Sequence, residues 1–381
     1  MTSPTLDSRA LNRALLARQW LLDPPRAATA LEAIEHLGGL QAQDVKAPYF
    51  QLWSRLAGFD PAELSGLLER RDAVRIVVMR GTIHLVSARD APLLRALAQP
   101  ALSGQTDSNH RVPQDVDRAA LAAAGRALVE EEPRTFAQLA AQLGQRWPHA
   151  DGPALAQQVR ARIPLVQVPP RGLWGRSGPA AHTSLARWTG DEALPHEDLD
   201  LAPLVRRYLA AFGPARPADF QKWSGRTGAA PAFERLRGAG ELVVFEDERG
   251  RALFDLPDAP RPPGDTPVAP RLTGPFDNLI LSHADTSRVL PPAHKPLVMT
   301  QNGLIAGLVL LDGFVAGSWR FKATKKRATL TITPFGAETY DKRDAAAVAR
   351  EAGRLLDAFA PGAAERDVAF APPASAPTPA G

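Results

Sequence analysis

The chain has 381 residues, 45% of them hydrophobic, and a formal net charge of +4. That length suits two to four packed units, at ~100–200 residues for an ordinary domain and fewer for small repeated ones. The absence of cysteine rules out disulfides, cysteine-ligated zinc, iron–sulfur clusters and a thiol nucleophile.

Other classes drop out on motif grounds. The eight histidines contain no His-x-x-x-His pair on a helical pattern, so no metal site is expected. Neither a Gly-x-x-x-x-Gly-Lys loop nor a Gly-x-Gly-x-x-Gly after a strand occurs, so ATP and dinucleotides are not expected as cofactors. Met1 to Ala10 lacks the apolar core of a signal peptide. The apolar run Leu304 to Leu311 stops at Asp312 and is too short to span a bilayer. A soluble, monomeric, cytoplasmic protein is expected. A charge of +4 permits nucleic-acid binding without arguing for it, so the location of the cations carries more information.

In chain order, periodicity predicts helices over 7–22, 28–38, 48–57 and 60–71. Val74 to Met79 then turns through Arg80-Gly81 into Thr82 to Val86, a hairpin. Gly38-Gly39 follows the apolar positions Leu31, Ile34 and Leu37, a helix C-terminus signal. Gln41 and Gln43 are therefore expected on a non-helical bend, where residues two apart share a face. Two convergent amides can hold one water or read one base edge.

A second unit is predicted from helices over 117–131, after Thr135 as N-cap, and over 153–162. Strands at 165–168 and 173–176 follow, joined by Pro169-Pro170-Arg171-Gly172. The same order recurs over 200–256: helices at 204–212, 217–223 and 231–237, then strands at 241–246 and 252–256 about Arg249-Gly250. Three helices and a hairpin make a winged helix.

Residues 257–271 hold six prolines in fifteen positions, which excludes a packed helix or central strand. The 297–332 region alternates, with hairpin signals at Asn302-Gly303 and Asp312-Gly313. His294-Lys295-Pro296 suggests a further hairpin. A helix over 345–359 closes the domain, and the Pro/Ala/Ser-rich 371–381 tail is expected to be disordered. The expected fold is α+β, with tandem winged-helix domains at 1–100, 116–190 and 200–258 and a β-barrel-like domain at 272–370.

The stretch Gln41-Ala42-Gln43 resembles the Gln-apolar-Gln signature of the winged-helix family that includes AlkZ-type and YcaQ-type DNA glycosylases. Flanking segments agree: Leu11-Asn12-Arg13, Met79 to Val86, Pro217 to Phe220 with Trp223, Phe276-Asp277-Asn278, Ser282 to Asp285, and Asp312 to Gly317. The likeness covers roughly residues 8–340. It implies double-stranded DNA as partner and excision of alkylated, cationic purines, crosslinked adducts among them, by a glycosylase. It also implies that Gln41 and Gln43 hold the water that attacks the sugar C1′. A non-catalytic winged-helix regulator is the alternative reading, although no dimerisation heptad is evident.

Four further sites follow from the residues themselves. Asp44 is either a rival catalytic base or a cap for the segment leading into Pro48. Lys46 suits a phosphate contact or a solvated position better than a Schiff base, so a monofunctional enzyme is expected. Arg80 and His84 flank the first hairpin as candidate DNA contacts, with a buried structural histidine as the other reading of His84. Arg320, Lys322, Lys325, Lys326 and Arg327 put five cations in eight residues at a hairpin tip, where they can follow phosphates or shield a sheet edge.

Overall fold

The structure, a computed structural model, describes residues 4–25, 27–107, 111–192, 194, 199–299, 303–336 and 340–374. Helix starts follow local chemistry. Asp7 accepts from Ala10 N to cap Ser8–Arg18, and Thr29 and Glu32 form a capping box for Ala30–His36. That helix ends at Gly38 (φ +61°) and Gly39 (φ +99°). A Cβ on Gly39 would meet Val86 Cγ1 at 2.8 Å, so only glycine lets the chain turn here into Leu40–Gln41. Prolines in the first turn open Ala47–Trp53 and Pro61–Arg70. The antiparallel strands Ala73–Val77 and Ile83–Ser87 follow, then the helix Ala91–Asp107.

The second set comprises helices Arg118–Glu131, Phe136–Arg146 and Gly152–Arg162, with the expected Thr135 cap completed by Gln138. Its strands are Leu165–Gln167 and Ala181–Ser184, not 165–168 with 173–176. Trp174 instead reaches aromatic neighbours, with ring centroids 5.1 Å from Tyr49 and 4.9 Å from Phe359. The third set matches expectation closely: Ala202–Phe212, Pro217–Ser224, Ala230–Gly238, Val243–Asp247 and Ala252–Asp255.

Long-range pairing joins these sets. Arg75 pairs with Gln167 and Ile76 with Val166, so the first two hairpins share one six-stranded sheet. Thr5–Leu6 adds a parallel strand beside Val243–Asp247. One apolar core runs from Leu15 and Val78 through Phe212 and Trp223 to Leu290 and Leu310. The second set keeps a separate core around Leu121, Leu143, Leu155 and Val159.

The proline-rich segment 257–271 is strapped to the first helix: Arg13 Nε donates to Thr266 O (2.8 Å) and Arg18 Nη2 to Pro260 O (3.2 Å). Beyond it lies an open five-stranded sheet, in place of the expected barrel. Its outer strands, Arg271–Thr273 and Glu365–Phe370, sit at opposite edges and do not pair with each other. Helix Lys342–Phe359 crosses over to make the last strand parallel to Arg327–Pro334. Its stripe of Val348, Ala352, Leu355 and Phe359 covers a core shared with Val309, Trp319 and Leu330.

Two smaller expectations are corrected. His294-Lys295-Pro296 is no hairpin, because Pro296 opens the short helix Lys295–Val298. Residues 371–374 are ordered by pairing, with Ala371 N donating to Ile332 O and Ala374 N to Pro334 O. Residues 375–381 and Asn302 lie outside the described residues.

Candidate active site

Gln41 occupies a two-residue strand opposite His84, with Leu40 opposite Leu85, and the chain leaves helical geometry there as expected. Three donors hold this segment. Gln51 Nε2 donates to Gln41 O (3.1 Å), Arg75 Nη2 to Ala42 O (2.9 Å), and Arg80 Nη2 to Gln41 Oε1 (2.8 Å). Ala42 N adds a bond to Ile83 O at 2.8 Å. Gln41 is 6% exposed, whereas Gln43 is exposed to solvent.

The Arg80 contact depends on backbone shape. Arg80 lies in the left-handed region (φ +57°, ψ +14°) within the turn Met79–Gly81, a conformation non-glycine residues adopt rarely. There its guanidinium also reaches Trp223 O and His84 Nε2, the latter at 3.1 Å. Gly225, φ +78°, lies just behind it: a Cβ would come 3.1 Å from Arg80 N. The end of helix Pro217–Ser224 thus backs the site across 143 residues of sequence.

His84 is fully buried, in keeping with the other reading given for it, a hydrogen-bonded structural histidine. Because arginine only donates, His84 Nε2 must accept, leaving the proton on Nδ1 for Thr82 O at 3.0 Å. Burial, reinforced by the Arg80 charge, holds its pKa down at about 3, and the ring is neutral at physiological pH. Arg80, half-buried and lowered to about 10 by burial, points its guanidinium to Trp223 O, Gln41 Oε1 and His84 Nε2.

Asp44 is exposed, and its Oδ1 accepts from Lys46 N (2.7 Å) while its carbonyl accepts from Ala47 N (3.2 Å). Both bonds lie in the turn that leads into helix Ala47–Trp53, whose N-cap residue is Lys46. Lys46 Nζ stands 5.9 Å from the Trp174 ring centroid. The five cations lie on the hairpin of Phe314–Ala323 and Arg327–Pro334, all of them exposed. Arg327 is paired with Asp367 (3.0 Å), and Phe321 between Arg320 and Lys322 turns toward Phe50, centroids 5.7 Å apart.

Sequence reasoning missed the buried arginines and amides that fix this site: Gln51, Arg55 and Arg75. The segments that carry the family resemblance turn out to contain their counterparts. Asn278 Nδ2 donates to Gly39 O (2.8 Å), beside the glutamine segment. Asn12 Nδ2 bridges Arg288 O and Gly313 O, each at 2.8 Å, and Asp219 Oδ1 accepts from Ala284 N at 3.0 Å.

Comparison with known proteins agrees with this layout. The profile described as "DNA glycosylase AlkZ-like" matches residues 34–358. The chain belongs to the AlkZ-like DNA glycosylase family. Within the family, it is 26% identical over 342 residues to an interstrand DNA cross-link repair glycosylase of Streptomyces sahachiroi, covering 84% of this chain and 88% of that one. The solved structure of Streptomyces sahachiroi DNA glycosylase AlkZ has the same fold, at a TM-score of 0.75 and 21% identity, over 96% of this chain and all of that one. Membership makes the chain a homologue of hydrolases acting on N-glycosyl bonds in DNA. Among the described residues, no helix is long and apolar enough to cross a membrane.

Proposed function

We propose that the protein hydrolyses the N-glycosidic bond of alkylated, cationic purines in duplex DNA, crosslinked adducts included, using a water positioned by Gln41 and Gln43. The observation that carries this reading is the clamp of Gln51, Arg75 and Arg80 on residues 41–42. An ordinary surface loop has no need of two buried donors and a third half-buried one. Catalysis by positioning does, because small displacements of a reacting group are expensive in rate.

The chemistry suits neutral amides. They are poor general bases, but a purine alkylated at N7 or N3 is already cationic. Its departure neutralises the base and requires no general acid. What remains is an oxocarbenium-like sugar, as in glycoside hydrolysis, and an oriented water. The repeated order of three helices and two strands is read here as winged helices that bring the duplex to this segment. The exposed Lys325–Lys326 tip supplies phosphate contacts. Lys46, exposed and 5.9 Å from the Trp174 ring centroid, is taken as a phosphate contact rather than a Schiff-base nucleophile, which makes the enzyme monofunctional.

The deciding experiment incubates the pure protein with a duplex containing 7-methylguanine. Free base should be released, with strand breaks appearing only after alkali. Gln41→Ala and Gln43→Ala should slow single-turnover release far more than they weaken DNA binding. Wild-type single-turnover rates in both variants would show the site is elsewhere. Tight binding to one sequence without release would favour a regulator.

A further inference from the structure

The two glutamines are not equivalent. Arginine has five N–H donors and no acceptor, so the end of the Gln41 amide that faces Arg80 Nη2 at 2.8 Å must be Oε1. The usual ambiguity between amide oxygen and nitrogen is removed by chemistry. Gln41 Nε2 has no hydrogen-bond partner among the described residues and is not sealed from solvent. Gln43, exposed and without a side-chain bond to the described residues, keeps both ends of its amide free.

Arg80 itself has little freedom to release the oxygen. It is fixed by Trp223 O, by neutral His84 Nε2 and by its left-handed backbone. His84 in turn is locked as an acceptor by the bond from its Nδ1–H to Thr82 O.

We infer that Arg80 is a positioning residue that polarises the pair: it holds Gln41 by its oxygen, so that Gln41 meets the attacking water as a hydrogen-bond donor and Gln43 meets it as the acceptor. The inference rests on the glycosylase reading above and adds a division of labour to it. A donated N–H from Gln41 fixes one lone pair of the water and leaves the other for C1′; as the O–C1′ bond forms the C1′–N bond breaks, the purine departs neutral, and the proton shed by the water passes to solvent beside exposed Gln43. The water's hydrogen points to Gln43 Oε1, whose negative dipole end also faces the developing sugar cation. The positive end of the Gln41 amide cannot stabilise that cation, so its contribution is orientation alone.

The test pairs melting with single-turnover release from duplex containing 7-methylguanine. Gln41→Glu keeps an oxygen against Arg80 and removes the donor. It should melt at or above wild type, while Gln41→Leu melts below, and its release should fall about 100-fold, the loss typical of one positioned donor. Gln43→Glu keeps an acceptor and should release base at least about tenfold faster than Gln41→Glu. Arg80→Met should lower the single-turnover rate at saturating enzyme and leave DNA affinity and its salt slope unchanged. Gln41→Glu as active as wild type, or Gln43→Glu as slow as Gln41→Glu, overturns the polarity. Gln41→Glu melting below Gln41→Leu overturns the Arg80 contact. Weakened affinity with a flatter salt slope in Arg80→Met makes Arg80 a phosphate ligand instead. If the wild type releases no base, the glycosylase reading falls, and the melting comparison still decides whether Arg80 holds the oxygen.

Discussion

Arg55 and Asp277 form a two-pronged ion pair closed to water, with Nη2 2.6 Å from Oδ1, Nη1 2.8 Å from Oδ2, and each side chain 1% exposed. Arg55 follows the helix Ala47–Trp53 and also donates to Gln19 Oε1 at the end of the first helix. Asp277 caps Asn278–Leu281, whose Asn278 holds Gly39 O. One pair therefore ties three parts of the chain behind the glutamine segment.

Removing half of such a pair strands the other charge in a low-dielectric site. Asp277→Ala should lower stability by about 3–5 kcal/mol, read from denaturant unfolding. Replacing both partners with apolar residues should cost less than either single change. A loss under about 1 kcal/mol for Asp277→Ala would show that water reaches Arg55 in solution.

Acid sensitivity follows from three buried histidines. Burial, more than any charge, lowers His84 to about 3 and His182 to about 4, and lowers His283 likewise, against about 6.5 in an unfolded chain. The unfolded state thus binds more protons below pH 6.5, and stability must fall as pH drops from there toward those values. Each histidine contributes up to about 1.4 kcal/mol per pH unit over that window. Unfolding free energies between pH 8 and 5 should be flat at the top and decline below about 6.5. His84→Asn should lessen the decline, at some cost in stability at pH 8. An equal decline in the variant would clear His84 of the effect.

The basic hairpin makes a salt-dependence prediction. Lys325→Ala and Lys326→Ala should each flatten the slope of log affinity against log salt by up to about 0.9. Arg327→Ala should change it less, because Arg327 is already paired with Asp367. Unchanged slopes in the two lysine variants would remove the tip from the DNA interface.

Local chemistry was legible in the sequence, and distant partnership was not. The Gly38-Gly39 stop, the Thr135 cap and the proline-led helices follow from neighbours within a few residues, and the structure has them where expected. The strand proposed at 173–176 failed because Leu173-Trp174 shows the same apolar pattern whether it enters a sheet or an aromatic cluster. The true strand, Ala181–Ser184, carries the polar His182 and Ser184 and gave no alternation to read. The pairing of Arg75 with Gln167, ninety-two positions away, has no local signature, so nothing in the neighbourhood of either residue shows that the first two hairpins share one sheet. For the site, Gln41 and Gln43 stood out through the resemblance, while Arg80 read as an outward cation. Its inward turn depends on a left-handed backbone and on Trp223 O, neither visible in the text around residue 80.

Leaving-group charge should decide the substrate. In 7-methylguanine and 3-methyladenine the positive charge has already weakened the glycosidic bond, so positioned amides and water suffice. Uracil and hypoxanthine are neutral and need protonation as they depart, which demands an acid close to neutral pKa. Among the described residues nothing beside Gln41 offers one: Arg80 holds its protons up to about 10, and His84 is neutral with its one proton bound to Thr82 O. Asp44 is exposed, and its Oδ1 accepts from Lys46 N. Release under single-turnover conditions should therefore be readily measured from cationic adducts and be at least about 100-fold slower from uracil- or hypoxanthine-containing duplexes, the low end of what general acid catalysis supplies. Asp44→Asn should leave release from cationic adducts within about tenfold of wild type, because a side-chain amide oxygen can still accept from Lys46 N. Comparable rates on neutral and cationic lesions, abolished together by Asp44→Asn, would make Asp44 the acid and reduce the glutamines to supports.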